Sequence, residues 1–410
     1  MTTSAPHRPL AAAESDRLRR MHLPEHAASL GMSVRQADLS LQLDGGGKGL
    51  LDTTHFDTVR FPPPDWATVV MQAAIADGEN AYTPYQGHPG VVAAAAESVG
   101  EFLGVPVTEA SVLLTPGSQG GIFAVLSALV DEGDLVLLAD PEYLFVERML
   151  AFLGARVERV PVMHDRDRAT LDFEVVERLL PERPRLLIFS HPSNPTGAVY
   201  DEEVLAKVAE LSVRGGFRVL VDELYARLVY TDAPLPHLVA QAGMADRCIT
   251  MLGPSKTESL SGFRLGVVVA PADVVAAATQ TLAITALRAP AYAQHLLTRW
   301  LRDDQEFLAE RVKDLHALRD MTAERLRQVP GLELRVHDGT AYLFPDVSAL
   351  GVGDRDVAAA LRREAGVIVS PGYQFGPRGL GHFRVCYARD ETEWSAALDR
   401  MVKCLRGISR

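Results

Sequence analysis

The segment FRVLVDE at 217–223 places an acidic side chain at the end of a continuous apolar run. Similar runs occur earlier as SVLLT at 111–115, LVLLAD at 135–140 and RLLIFSHP at 185–192, and each is flanked by segments of helical character. Continuous apolar strands that alternate with helices are typical of a parallel sheet covered by helices on both faces. The sequence therefore predicts an α/β domain over about residues 61–290.

A second, smaller domain is predicted after the α/β domain. Apolar residues recur at helical spacing through about 292–328, which predicts one long connecting helix. The remaining chain mixes strand and helix patterns, so residues 291–410 are assigned to this helix and a small α+β domain. Residues 1–60 are expected to pack with the small domain.

Composition and charge exclude several classes of function. The 410 residues are 47% hydrophobic and 23% charged, which is ordinary for a soluble globular protein. A net charge of −12 without a basic patch argues against a nucleic-acid partner. The three cysteines lack metal-ligand spacing, so no metal site is predicted and the thiols are expected to be reduced. No targeting segment or membrane span is recognised, and a cytoplasmic protein is expected.

Ligands of open parallel sheets bind beyond the carboxyl ends of the strands, so the residues directly after each apolar run are the candidates for a site. SVLLT is followed by PGSQGG, a turn of small residues that opens a helix near Ser118. Exposed backbone N–H groups at a helix start, beside a hydroxyl, suit a phosphate. Gly117, Ser118 and Gln119 are therefore candidate phosphate ligands, although an ordinary helix cap is the alternative interpretation.

The following strands each end in a further candidate. Tyr143 comes after LVLLAD and is interpreted either as core packing or as a ring on which a planar ligand stacks. Asn194 lies between two prolines in HPSNPTG, which suits a directed hydrogen bond. Asp222 ends an apolar strand, where a carboxylate needs a cationic partner or several donors, and Tyr225 follows three residues later.

The stretch GPSKTESLSGFRLG at 253–266 carries Ser255, Lys256 and Arg264. A lysine removed from water has a lowered pKa, and its free amine is suited to Schiff-base chemistry. An aldehyde cofactor with a pyridine nitrogen, a phenolic oxygen and a phosphate would use every candidate named above. Asp222 would hold the pyridine nitrogen protonated. The phosphate would bind Ser118, Ser255 and Arg264, and the phenolic oxygen would bind Asn194 and Tyr225. That cofactor is pyridoxal 5′-phosphate (PLP).

Five motifs, in order along the chain, resemble those of the class I/II aminotransferases in the fold-type I PLP-dependent superfamily, to which aspartate aminotransferase belongs. They are AYTPYQGHPG, SNPTG, DELY, GPSKTESLSGFRLG and HFRVCYA, and they extend from about Tyr82 to Arg384. The resemblance implies a large domain built on a mostly parallel, seven-stranded sheet. It also implies the smaller α+β domain already predicted.

The resemblance further assigns roles to individual residues. It implies that Lys256 is the Schiff-base lysine and proton shuttle, that Tyr143 stacks on the cofactor ring, and that Arg384 binds the substrate α-carboxylate beside Asn194. It also implies that Tyr82 reaches the phosphate of the neighbouring subunit, in a homodimer with shared active sites. The expected reaction moves an amino group from an L-amino acid to a 2-oxo acid with ping-pong kinetics.

Other functions stay open at this point. A PLP enzyme on the same fold could instead catalyse elimination, oxidation or cyclisation of an amino acid. A non-enzymatic sensor is disfavoured by the complete set of catalytic residues, and a dinucleotide-binding fold by the lack of a Gly-x-Gly-x-x-Gly after any strand. Neighbouring charged and imidazole side chains are interpreted as solvated, capping or structural groups, namely Glu223, Glu258, His55, His88, His191 and His382.

Three departures from the family pattern bear on the site. Gly253 stands where the family often has a phosphate-binding serine, and Pro254 follows it. The segment THFDTVRFPPPDW replaces the usual substrate loop, so Asp57, Thr58 or Arg60 is expected to face the substrate, with Thr58 as the candidate ligand. Arg288 is assigned either to an acidic substrate group, to the phosphate, or to the solvated surface.

Overall fold

The computed structural model of the protein describes residues 15–21, 50–56, 61–165 and 168–408. The strands of this part of the chain are β1 (Leu51–Asp52), β2 (Val112–Thr115), β3 (Leu135–Asp140), β4 (Arg156–Asp165), β5 (Arg168–Leu171), β6 (Leu186–Ser190), β7 (Arg218–Asp222), β8 (Cys248–Leu252), β9 (Gly266–Val269), β10 (Tyr342–Leu343), β11 (Val367–Ile368), β12 (Ser370–Pro371) and β13 (Phe383–Cys386). The helices are α1 (Asp16–Arg20), α2 (Trp66–Ala76), α3 (Pro89–Leu103), α4 (Ser118–Leu129), α5 (Leu144–Leu153), α6 (Phe173–Leu179), α7 (Glu202–Gly215), α8 (Ala272–Thr285), α9 (Ala291–Gln294), α10 (Gln305–Leu326), α11 (Asp354–Ala360) and α12 (Glu391–Ile408).

The centre of the α/β part is a mixed sheet with the strand order β2-β9-β8-β7-β6-β3-β4-β5, which is eight strands within the described residues. The pairs from β8 through β4 are parallel, whereas β9 is antiparallel to both β2 and β8. The predicted parallel α/β sheet is confirmed, with one strand more than the seven expected. The extra strand arises because β5 folds back on β4 as an antiparallel edge strand.

Burial explains why the central strands read as continuous apolar runs. All side chains of β3, β6 and β8 are buried, because helices cover both faces of the sheet. The strand β7 is buried through Val219, Leu220 and Val221, and only its ends are less enclosed. The register pairs Ser190 with Asp222 and Asp222 with Met251, so the polar strand ends lie along one edge of the sheet.

The C-terminal part contains a smaller antiparallel sheet with the order β10-β13-β12. Helices α10, α11 and α12 pack with it around a separate apolar core that includes the buried Trp394. The strand β1 pairs in parallel with β11, which ties residues 51–52 to this part of the chain. The helix α1, by contrast, contacts the α/β part, where Arg20 forms an ion pair with Glu132.

The single long helix predicted over about 292–328 is wrong. The chain forms the short helix α9 and one 3₁₀ turn over His295–Thr298, and α10 begins only at Gln305. Leu301 has a φ of 71°, a left-handed conformation that interrupts a helix. The preceding apolar residues still fit the helical pattern because Leu296, Leu297 and Trp300 are buried in the packing around α3.

Within the described ranges, no helix is long and apolar enough to cross a lipid bilayer. The three cysteines are buried and unpaired, as expected for reduced thiols. The cytoplasmic location expected from the sequence stays a prediction.

Candidate active site

Asp222 ends β7 at the edge of the sheet where the other polar strand ends gather. Its carboxylate accepts a hydrogen bond from the backbone N–H of Leu224 at 3.1 Å. Burial raises the pKa of Asp222 to about 6, while the charge of nearby Lys256 acts in the opposite direction. Two groups of opposite charge therefore lie after the neighbouring strands β7 and β8, close enough for the charge of one to act on the other.

Lys256 lies half-buried in a tight loop after β8. The loop is closed by backbone hydrogen bonds from Leu260 to Pro254 at 3.1 Å and from Ser259 to the carbonyl of Lys256 at 3.3 Å. Ser255 is buried beside the lysine, and its hydroxyl donates to the carbonyl of Leu265 at 3.4 Å. The turn thus holds Lys256 by its backbone just beyond the end of β8.

A buried network of ion pairs and hydrogen bonds contacts this loop. Arg227 donates to Glu258 and makes two hydrogen bonds of 2.8 Å to Asp304, and all three side chains are buried. Arg311 donates to the carbonyl of Thr257 at 3.0 Å. The interpretation of Glu258 as a solvated or capping charge is therefore wrong, because its carboxylate is the buried partner of Arg227. Residues distant along the chain complete the network, so no local pattern indicates it.

The interpretation of Glu223 as a solvated or capping charge is also wrong, because its carboxylate belongs to a second buried pair. Its carboxylate lies 2.7 Å from Nδ1 of His237, and only 1% of the residue is exposed. His191 is fully buried and donates to the carbonyl of Pro236 at 3.0 Å while its other nitrogen accepts from Tyr200. Burial lowers the pKa of His191 to about 4, which fits its predicted structural role as a neutral ring.

The start of α4 forms a cradle that suits a phosphate. Gly117 has a φ of 80°, and a Cβ there would lie 2.3 Å from Nη2 of Arg264. A Cβ at Gly266 would lie 2.7 Å from the backbone N of Ser118. The two glycines therefore let a guanidinium and a helix N-terminus approach the same point, where both favour an anion. Gln119 is exposed on the first turn of the same helix.

Gly253 has a structural reason to lack the hydroxyl that the family often places there. A Cβ at this position would lie 3.1 Å from the carbonyl oxygen of Leu265 and 3.4 Å from Cα of Gly266. The backbone of β9 is therefore too close for a larger residue without rearrangement. Anion binding at this edge of the sheet therefore depends on the candidate phosphate ligands described above, without a hydroxyl from position 253.

Tyr143 lies half-buried at the mouth of the site. Burial raises the pKa of its phenol, and the charges of Arg384 and Arg264 oppose that rise while Asp222 adds to it. The ring therefore packs against the apolar core and also lies within range of the charged groups of the candidate site. This position is compatible with both core packing and ligand stacking, and the stacking role stays a prediction.

Glu142, next to Tyr143, is a buried carboxyl that sequence analysis missed. It accepts hydrogen bonds from the N–H of Tyr143 at 2.7 Å, from the N–H of Ser190 at 2.7 Å and from the hydroxyl of Ser190 at 2.8 Å. The same hydroxyl accepts from the N–H of Asn194 at 2.9 Å. Glu142 thus joins the loops that carry Tyr143 and Asn194. The signal in the sequence is a glutamate that follows the predicted strand LVLLAD after a single proline.

Glu142 also gives a pH-dependent prediction. Burial raises its pKa from 4.5 to about 8 despite its three hydrogen-bond donors. Between these values the folded state binds more protons than the unfolded state, so stability falls as pH rises. Glu142→Gln removes this titration. We therefore expect the difference in unfolding free energy, variant minus native, to increase by about 1–3 kcal/mol as the pH rises from roughly 5 to 8.5. Urea denaturation across this range measures the difference.

The control is Glu174→Gln, at an exposed position on α6. Its unfolding free energy should follow the native protein at each pH. If the Glu142→Gln and native curves also ran parallel, the burial of a titrating carboxyl at position 142 would be contradicted.

Arg384 on β13 connects the small sheet to the site. Its Nη1 donates to Oδ1 of Asn194 at 2.7 Å, and its Nη2 donates to the carbonyl of Thr54. The guanidinium lies over the rings of Tyr342 and Phe375, at 4.2 and 4.8 Å from their centroids. Its buried Nε has no hydrogen-bond partner among the described residues. The guanidinium of Arg384 is thus held in place and still has an N–H group that could donate a hydrogen bond to an anionic ligand.

Tyr225 and Tyr342 form a hydroxyl pair next to Arg384. Their oxygens are 2.8 Å apart, and both side chains are buried. Burial raises the pKa of Tyr225 well above its usual value. Tyr342 was missed because it lies in the isolated segment GTAYLF, without a recognisable motif.

Tyr82 and Arg288 lie together. The guanidinium of Arg288 is 4.5 Å from the ring centroid of Tyr82 and 5.0 Å from that of Tyr85, and it donates to the carbonyl of Thr83 at 2.5 Å. Tyr82 itself is 84% exposed. Within one chain, Arg288 therefore holds the Tyr82 segment. Asp57, Thr58 and Arg60 lie outside the described residues.

Comparison with known proteins identifies the family. Residues 52–401 match the model of aminotransferase class I and II. An aspartate aminotransferase of Streptomyces avermitilis is 32% identical over 362 residues, which cover 84% of this chain and 86% of the relative. Aromatic-amino-acid aminotransferase 2 of Thermococcus litoralis is 28% identical over 349 residues, with coverage of 84% and 89%.

Structural comparison agrees with the sequence matches. The crystal structure of an aspartate aminotransferase from Rhodobacter sphaeroides 2.4.1 has a TM-score of 0.85 at 33% identity, covering 88% of this chain and 93% of that one. Together with the family match, this confirms the predicted fold class and the predicted transfer of amino groups. The chain belongs to the class I and II aminotransferases.

Proposed function

We propose that this aminotransferase uses PLP held covalently by Lys256, and that it moves the amino group of an L-amino acid to a 2-oxo acid. The observation that carries the proposal is the placement of Asp222 at the end of β7 and of Lys256 in the loop after the neighbouring strand β8. A carboxylate and an amine at one edge of the sheet suit a ligand that contains both a pyridine nitrogen and an aldehyde.

The residues present fit this cofactor. The cradle at Gly117, Ser118 and Arg264 suits its phosphate, since two glycines permit the close approach of the guanidinium and the helix N-terminus. Asp222 suits the pyridine nitrogen, because a carboxylate that burial disfavours gains from a cationic partner. The further candidate ligands are Ser255 and Gln119 near the phosphate, Tyr225 and Asn194 at the phenolic oxygen, and Tyr143 against the ring. When bound, PLP supplies an electron sink for the substrate.

The protein groups then have separate tasks. With the cofactor bound, Lys256 would act as the general base that takes the proton from the substrate α-carbon and as the general acid that returns it. Arg384 binds the substrate carboxylate, and its contacts to Asn194 and to the ring of Tyr342 fix the plane of its guanidinium. The aromatic side chains beside Arg384 keep water from this contact and so strengthen it.

We infer a homodimer from the distribution of exposed apolar side chains. Among the described residues, eleven large hydrophobic side chains are exposed, and six lie between positions 69 and 85 or between 284 and 292. They are Val69, Ile75, Tyr82, Tyr85, Ile284 and Tyr292. Such a concentration is typical of a protein interface. The exposed Tyr82 is thereby available to the phosphate site of a second copy, as the family resemblance implies.

An absorbance titration tests the cofactor and the reaction. We expect the purified protein to show a visible cofactor band that converts to a shorter-wavelength form when a productive L-amino acid is added. The panel should include aspartate and aromatic amino acids, on which relatives are named as acting. The band should return when a 2-oxo acid is added. Release of ammonia or peroxide without an oxo-acid acceptor would instead support elimination or oxidation.

Arg384→Lys tests the carboxylate site. Lysine keeps the positive charge but loses the planar set of donors, so we expect kcat/KM for the amino donor to fall by about 100-fold. The loss should be largely in KM, because both the bound substrate and the transition state carry the carboxylate. Steady-state kinetics measure it, with Arg363→Lys, at an exposed position, as the matched control. An unchanged KM would exclude this role for Arg384.

A further inference from the structure

A second cluster of ligating side chains lies outside the candidate active site. Glu79 follows α2 in a turn, His88 directly precedes α3, and His295 begins the 3₁₀ turn after α9. The carboxylate oxygen Oε2 of Glu79 is 3.4 Å from Nε2 of His88 and 3.9 Å from Nε2 of His295. One ligand atom from each residue lies within 4.8 Å of the others. His295 is far in sequence from Glu79 and His88, so no local pattern indicates a shared site, and none is predicted from the sequence.

The separations in this cluster suit a shared cation better than direct hydrogen bonds. Hydrogen bonds between nitrogen and oxygen span about 2.7–3.2 Å, and both distances to Glu79 exceed that range. Ligands bound tetrahedrally at about 2.0–2.1 Å from Zn²⁺ lie roughly 3.3 Å from one another. Small side-chain rotations would therefore bring the three atoms to one ion.

His295 supplies an independent indication of a ligand. Its Nε2 is buried and has no hydrogen-bond partner among the described residues, although it points toward Glu79. An imidazole nitrogen without a hydrogen-bond partner, 3.9 Å from a carboxylate oxygen, is suited to a metal ion, because a neutral imidazole nitrogen is also a metal ligand.

The backbone already holds the cluster in place. The N–H of His88 donates to Oε1 of Gln294 at 2.7 Å, which joins the two histidine segments directly. The N–H of Glu79 donates to the carbonyl of Ala74 at 2.9 Å. The rings of His88 and His295 lie 5.1 Å apart between centroids. Three elements thus present their ligands without a large rearrangement.

We propose that Glu79, His88 and His295 bind one divalent transition-metal ion, with Zn²⁺ the best match. Two imidazole nitrogens and one carboxylate oxygen form a common zinc ligand set, and water completes the coordination. The ion would join the turn before Tyr82 to the segment that follows Arg288. It would therefore stabilise the region that carries Tyr82, and it is distinct from the groups assigned to PLP.

Zinc titration of the chelator-treated and dialysed full chain, loaded with PLP, tests the proposal. Bound zinc is counted by elemental analysis, and Co²⁺ substitution reports the geometry through its visible absorption. We expect one ion per chain and a rise in Tm with Zn²⁺. Glu79→Gln and His295→Gln should each weaken binding at least tenfold and abolish the Tm rise. His316→Gln, at a half-exposed histidine that contacts Arg319, is the control and should bind zinc normally.

The outcomes separate this site from binding elsewhere. Absence of stoichiometric zinc, or binding that persists unchanged in both Glu79→Gln and His295→Gln, overturns the proposal. Glu79 is partly exposed, so its glutamine variant should fold even if His295→Gln does not. Since the measurement counts the metal and not the turnover, it stands independently of whether the enzyme uses PLP.

Discussion

Lys256→Ala should lower kcat for transamination by about 10,000-fold, since it removes the group proposed both to attach the cofactor and to carry the proton. The variant should still bind PLP, because the phosphate cradle and Asp222 remain. Borohydride treatment followed by mass spectrometry should then find the cofactor attached to Lys256 in the native chain and to no peptide in the variant. Single-turnover kinetics with an L-amino acid measure the loss.

A surface lysine provides the control for this experiment. Lys207 lies on α7 and forms ion pairs with Glu210 and Glu177. Lys207→Ala should retain native kcat and native cofactor attachment. A reducible, protein-linked cofactor in Lys256→Ala would show that another amine holds PLP, and the proposed site would then be wrong.

The residues at the strand ends could be predicted because the apolar runs mark the strands and the polar residues follow those runs directly. Each apolar run is buried on two faces and therefore visible as a pattern, and the first polar residues after it lie at the ligand edge of the sheet. This logic singled out Asp222, Asn194 and Tyr143, which the structure places after the carboxyl ends of β7, β6 and β3, and their roles stay predictions. Arg384 needed the family resemblance, because it lies within the short strand β13 of the second sheet and no periodicity singles it out.

The residues that were missed have partners far away in the chain. Glu142 is interpretable only once Ser190 is known to lie beside it, and Glu258 only once Arg227 and Asp304 enclose it. A charged side chain in a sequence is usually solvated, so its burial in an ion pair needs the tertiary structure. The interruption of the helix before α10 could not be predicted for the same reason. Asp304 is buried against Arg227 at this point, whereas the apolar pattern in the sequence continues past it.

Asp222→Asn should lower kcat by about 100- to 1,000-fold, the loss typical when one preorganised electrostatic partner is removed. Asparagine keeps the shape of the side chain and can still accept from the N–H of Leu224, but it cannot stabilise a cation on the pyridine nitrogen. We expect the spectrum of bound PLP to change and the loss to fall mainly on kcat. Stopped-flow absorbance of the half-reaction separates this effect from weaker substrate binding.

Loss of the fold is not an alternative explanation for such a result. Burial raises the pKa of Asp222, so its ionised form destabilises the cofactor-free protein above about pH 6, and asparagine avoids that cost. The cofactor-free variant should therefore unfold at the same or higher urea concentration than the native chain at pH 8. Asp273→Asn, at an exposed ion pair with Arg218, should leave kcat unchanged. A native kcat in Asp222→Asn would show that the reaction does not depend on a charge that this carboxylate stabilises on the cofactor ring. The role proposed for Asp222 beside Lys256 would then be wrong.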